Sequence, residues 1–178
     1  ATAFDAKGIL LESIFGDDPT IIIEHRSLFN LKDYVPKEPY RVKFGKAVIR
    51  KAGKDITVVS LGCMLIETLK AAKILEKEKI ETEVIDPRTL TPLDKETIIN
   101  SVKKTGRLAV VDPGWQSFGA SAEIITSVIE KCSNYLKSSP IRINFPDSHT
   151  PMSQNLEKHY YIDEQKIVKK IKTIFKDN

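Results

Sequence analysis

Nucleophilic enzymes place a serine or cysteine in a strained turn beside a base, and nucleotide enzymes use glycines that let backbone amides close on phosphate. This 178-residue sequence contains no Gly-x-Ser-x-Gly elbow, no Gly-x-Gly-x-x-Gly and no Gly-x4-Gly-Lys-Ser/Thr loop. Ser60-Leu61-Gly62 follows a strand pattern but carries too little glycine to cradle a phosphate. Cys63 and Cys132 lie far apart, without a Cys-x-x-Cys pair or a histidine at metal-ligand spacing, so neither a zinc site nor a disulfide is supported. Both fall near helical apolar positions, where cysteine fills core, and a reducing compartment fits them. The sequence therefore assigns no catalytic, cofactor-binding or metal-ligating residue.

Open α/β sheets bind ligands beyond the carboxyl ends of their strands, so charged or aromatic residues at those places are the remaining candidates. Glu24-His25-Arg26 follows the run Thr20-Ile21-Ile22-Ile23. Arg26, with His25 beside it, is the substrate-facing candidate, since a guanidinium fork clamps carboxylate or phosphate; an ion pair or an interdomain contact is the alternative use. Asp86-Pro87-Arg88 occupies an equivalent place and reads as a turn held by an Asp/Arg contact. Trp115 and Phe118 sit on a loop between Gly114 and Gly119, either as a protein contact or folded inward over the sheet edge. His149 stands alone in a polar loop, with no partner in the sequence that would give it a catalytic role.

The elements that must position these residues follow from periodicity. Asp5 is expected to cap a short helix with Ile9, Leu10 and Ile14 on one face, and Thr20 to Ile23 to form a strand buried on both faces. Residues 30–43, rich in Pro, Tyr and Lys, read as a linker and domain boundary. Beyond it, 47–50 and 56–60 predict a hairpin, Met64 to Lys79 a helix, Thr82 to Ile85 a strand, and Thr91-Pro92-Leu93-Asp94 a helix start with its N-cap at Thr91. Gly106 marks a stop, 107–111 a strand, Gly119 to Leu136 a helix, 141–143 a last strand, and Ile167, Ile171 and Ile174 a closing helix after Asp163. Alternating strands and helices give an α/β domain with three α/β/α layers and a mostly parallel, mixed sheet.

Composition agrees. With 41% hydrophobic and 29% charged residues and a net charge of +4 spread along the chain, the sequence reads as soluble, with neither a nucleic-acid stripe nor a membrane-spanning stretch. A chain opening at Ala1 on a helical pattern is expected to continue a longer polypeptide.

In order along the chain, Asp5-Ala6-Lys7-Gly8, Ile23 to Phe29, Phe44 to Ala47, Gly53 to Ser60, Val84 to Asp94, Ser101 to Leu108 and Gly114 to Ile124 are recognisable strings. The sequence resembles β-subunits of thiamine-diphosphate-dependent 2-oxo acid dehydrogenases of the pyruvate dehydrogenase type, in the transketolase superfamily. That resemblance implies that residues 1–29 are the end of a pyrimidine-binding domain and 44–178 a transketolase C-terminal domain. It implies an enzyme using thiamine diphosphate and magnesium, neither expected on this chain alone, because the activating glutamate, stacking aromatics and catalytic histidine of the family lie upstream and the diphosphate and its magnesium belong to the partner α-subunit. It further implies an E1 α-subunit, a second β-subunit and a lipoyl acyltransferase core as partners, and a cytoplasmic place, or a mitochondrial or plastid one in a eukaryote. Trp115 and Phe118 become subunit-interface candidates, while Arg26 falls near the place where transketolases proper bind a sugar phosphate. His149 stands where the family pattern has proline, which argues against a shared catalytic duty. A split transketolase and a non-catalytic binding module are the alternatives.

Overall fold

The computed structural model describes residues 1–175, so the last three residues of the expected 44–178 domain lie outside it. Its elements run α1 (Ala3–Ile14), β1 (Val48–Lys51), β2 (Ile56–Ser60), α2 (Met64–Lys77), β3 (Thr82–Asp86), α3 (Lys95–Thr105), β4 (Leu108–Trp115), α4 (Ala120–Cys132), β5 (Ile141–Phe145), α5 (Gln154–Tyr160) and α6 (Glu164–Thr173). The sheet order is β1-β3-β2-β4-β5, parallel throughout except for β1, which pairs antiparallel with β3. This is the expected mixed sheet between two helical layers.

Alternation along the central strands explains why β2 is buried at all five positions. Ile56 and Val58 of β2 join Ala109 and Val111 of β4 on one face, against Ala71 and Leu75 of α2 and Ile167 and Ile171 of α6. Val59, Leu108 and Val110 point the other way, against Ile98 and Val102 of α3 and Ile124 and Val128 of α4. Each fully buried Ile or Leu contributes roughly 1.5–3 kcal/mol by leaving water, so the two-sided packing fixes the register strongly. Cys63 and Cys132 are buried in opposite clusters as free thiols, the core role expected of them.

Several local expectations are corrected. β1 and β2 do not form a hairpin, because β3 lies between them. The chain crosses the start of β3 instead, with Lys54 N and Asp55 N donating to the Glu81 carbonyl, and a Cβ at Gly53 would strike the backbone of Thr82 and Glu83. Residues 20–23 form no strand: no neighbouring strand among the described residues pairs with them, and Ile21 and Ile23 are about nine-tenths exposed. The N-cap of α1 is Thr2, whose hydroxyl accepts from Asp5 N, and the Asp5 carboxylate turns inward. The N-cap of α3 is Asp94, not Thr91; its carboxylate accepts from Thr97 N at 3.1 Å and from Ala47 N at 2.9 Å. Gly106 ends α3 with φ 74°, as expected of a left-handed stop. Helix α5 was not anticipated.

Candidate functional site at the carboxyl ends of the strands

The chain leaves β2 through α2 onto one face and leaves β4 through α4 onto the other, so the sheet opens where those two strands end. A cleft of about 600 Å³ lies beside that point. Cys63 and Met64 reach it from the start of α2, Phe145 from the end of β5, Tyr161 and Ile162 from the turn before α6, and Leu28 and Leu31 from the segment after α1.

Its polar groups are already engaged. His25 Nδ1 accepts from Ser27 N at 3.3 Å, capping the short turn Arg26–Leu28, and lies 2.7 Å from Ser27 Oγ. Asp163 caps α6 through Lys166 N at 2.7 Å, and Glu67 pairs with Lys70 at 2.7 Å. Burial pushes the Cys63 thiol pKa up, which favours the unreactive protonated form. The arrangement can enclose an apolar group, but it brings together no nucleophile and base. It also does not suit a diphosphate with magnesium: neither Lys nor Arg lines it, and the described residues contain no cluster of three His, Cys, Asp or Glu able to hold a metal.

His25 therefore reaches the cleft, whereas Arg26 is exposed and is not among the residues lining it. Its place after the run Thr20 to Ile23 marked His25 in the sequence, although that run forms no strand; Cys63, Phe145 and Tyr161 carried no such mark, because only the topology brings them together. The Asp86-Pro87-Arg88 turn is closed by Arg88 N donating to Asp86 Oδ1 at 3.1 Å, while the Arg88 side chain goes to Asp5 and to the Lys46 carbonyl instead of to Asp86.

At the neighbouring strand ends the chain closes on itself. Asp112 Oδ2 accepts from Ser121 N at 3.0 Å, so a carboxylate of the protein already occupies the amino end of α4, where an anion would otherwise be attracted. Ser117 N donates to Asp147 at 3.1 Å and its hydroxyl also bonds that carboxylate, lacing the loops after β4 and β5 together. Trp115 Nε1 donates to Tyr160 Oη at 3.3 Å, and its ring meets His149 edge-on at 6.5 Å, leaving Trp115 half exposed. Phe118, at φ 57°, projects fully into solvent, so the inward reading is overturned for this ring.

A mixed sheet of this order, covered by helices on both faces, defines a known class of α/β domain. The chain belongs to the family of transketolase C-terminal domains, whose pattern matches residues 45–167. Over 177 residues it is 40% identical to the pyruvate dehydrogenase E1 component subunit beta of Acholeplasma laidlawii, covering 99% of this chain and 54% of that protein. It is 39% identical over 160 residues to the acetoin:2,6-dichlorophenolindophenol oxidoreductase subunit beta of Cupriavidus necator, covering 90% of this chain and 47% of that one. Among solved structures it is similar to a split-gene transketolase in an inactive beta4 tetramer, with TM-score 0.63 and 28% identity over 75% of this chain and 43% of that one. The chain spans about half the length of the curated relatives it matches. No described helix is long and apolar enough to cross a membrane.

Proposed function

We propose that this chain is the C-terminal, assembly-bearing part of an E1-type 2-oxo acid dehydrogenase β-subunit. The intact enzyme decarboxylates pyruvate or a related 2-oxo acid on thiamine diphosphate and passes the acyl group to a lipoyl-protein. The observation that carries the reading is 40% identity sustained over 99% of the chain to a pyruvate dehydrogenase β-subunit. On this reading residues 1–29 continue from a pyrimidine-binding domain, and 44–178 contact a second β-subunit, the E1 α-subunit and the acyltransferase core. Trp115 and Phe118 are the proposed subunit contact, and Arg26 with His25 the group nearest substrate. The enzyme works in the bacterial cytoplasm or, in a eukaryote, in the mitochondrion or plastid.

The cofactor and its magnesium are held, on this reading, by parts of the enzyme outside this chain. Isothermal titration of the 178-residue chain with thiamine diphosphate and magnesium is expected to show no binding at millimolar ligand; saturable micromolar binding would overturn the assignment. A split transketolase is the second reading, favoured by the 28% identity to the split-gene structure. It predicts that the reconstituted enzyme turns over sugar phosphates in place of 2-oxo acids and loses that activity on Arg26→Ala.

A further inference from the structure

Four charged side chains meet where α1 lies against the β1 edge of the sheet, away from the cleft. The Asp5 side chain is 1% exposed. One of its oxygens accepts from Arg50 Nη2 and the other from Arg88 Nη1 at 3.2 Å. Asp86, also buried, accepts from Arg50 Nε at 3.2 Å and Nη2 at 2.8 Å. Arg88 is anchored in turn by its Nε on the Lys46 carbonyl at 2.8 Å, with its backbone at φ 60°. Two carboxylates and two guanidiniums balance only while α1 is docked. With α1 lifted away, Arg50 keeps Asp86 but Arg88 keeps only the Lys46 carbonyl and has no carboxylate partner among the described residues.

A second fastening joins α1 to residues 36–42. Lys7 Nζ donates to the carbonyls of Pro36, Lys37 and Glu38, Val42 N donates to the Gly8 carbonyl at 3.1 Å, and Phe4 stacks on Tyr40. That strap is mostly exposed and holds α1 only to its own neighbouring chain. The Asp5 cluster reaches β1 and the end of β3, which belong to the sheet itself.

We propose that Asp5 is the pin of a conformational latch: through Arg50, Asp86 and Arg88 it locks α1 onto the sheet edge. Helix α1 and residues 44–175 then move as one body, and residues 15–31 form an arm tethered at both ends. Removing one partner of a buried ion cluster leaves uncompensated charge, so the pin governs docking far more than an exposed ion pair does. For the proposed β-subunit, and resting on that reading, the latch sets how the preceding domain is oriented against this one.

Hydrogen exchange of the 178-residue chain tests the latch without cofactor or partner, so its outcome is independent of the proposed enzyme. Asp5→Asn is expected to speed exchange of α1 amides at least about tenfold relative to those of β2 and β4. Arg88→Gln should act in the same direction, and the Asp5→Asn/Arg88→Gln double variant should lose little beyond the larger single effect, because both belong to one network. Lys7→Met should have the smaller effect. Should Asp5→Asn fail to fold, Arg88→Gln carries the same comparison. The latch is overturned if α1 exchange is unchanged, if α1 and the central strands accelerate by the same factor, or if Lys7→Met exceeds the pin variants.

Discussion

Glu83 puts a carboxylate on β3 with 2% side-chain exposure, in register with Thr57 on β2. One oxygen receives Lys104 and Gly53 N, and the other has no hydrogen-bond partner among the described residues. Burial alone would raise its pKa, but Lys104 by hydrogen bond and charge, together with the Ser101 side chain and the Gly53 amide, outweighs burial and holds it below the ordinary 4.5. Asp5 and Asp94 follow the same sense: burial opposes the charge in each, yet Thr2 and Arg50 beside Asp5, and the amides of Ala47 and Thr97 beside Asp94, lower them. A carboxyl depressed in the folded state stabilises the protein fully above its unfolded pKa, and that contribution disappears as pH falls through the folded value. The urea midpoint should therefore be flat from pH 7 to about 5 and fall below pH 4. Glu83→Gln should lower the unfolding free energy at pH 7 by about 1–2 kcal/mol, a discounted figure because Lys104 is half exposed, and should shallow the acid decline. A variant whose acid profile parallels the wild type would remove Glu83 from this account.

Helix α3 shows how an element can be legible while its anchor is not. Its apolar period and the Gly106 stop are plain in the sequence, yet Thr91-Pro92 imitates a helix start three residues before the real cap. Asp94 wins because its carboxylate serves two elements, capping α3 through Thr97 and receiving Ala47 N just ahead of β1. Asp94→Ala leaves both amides without that acceptor and is expected to cost about 1–2 kcal/mol, while Asp94→Asn keeps an acceptor and costs less; urea melts of the two variants check the ordering. The same distinction explains what else was and was not readable. Strands β2 to β5 and helices α2, α4 and α6 announced themselves because each buries faces at a fixed period. The partner of β1 did not, since periodicity reports that a face is covered and never which strand covers it, and only the crossing at Gly53 reveals the insertion of β3. Thr20 to Ile23 has strand chemistry but no strand beside it among the described residues. The cleft was half visible: His25 could be inferred from its place after that run, whereas Phe145 and Tyr161 are brought there by chain topology.

At the scale of the whole molecule, the feature that points outward is the lacing of the loops after β4 and β5. Ser117 bound to Asp147 and Arg142 donating to the Gln116 carbonyl at 2.7 Å hold the backbone just ahead of Phe118, Ser121 N on Asp112 holds it beyond, and Phe118 takes a left-handed conformation with its ring wholly in water. A large ring held out on a braced loop is costly to hydrate and well placed to be buried by a neighbour. Trp115 differs, because its bond to Tyr160 ties it to α5, so Trp115→Ala disturbs the fold as well as any contact. Phe118→Ser is the cleaner probe: it removes no internal packing, so the urea midpoint of the monomer should stay within error. If the proposed β–β contact uses this loop, a two-fold interface loses the ring twice, roughly 1.5–3 kcal/mol each time, which weakens association by two orders of magnitude or more. Sedimentation velocity across a concentration series should show the wild-type chain self-associating and the Phe118→Ser chain staying monomeric over the same range. A wild-type chain that remains monomeric at high concentration, or one whose association survives both Phe118→Ser and Trp115→Ala, would move the subunit contact off this loop.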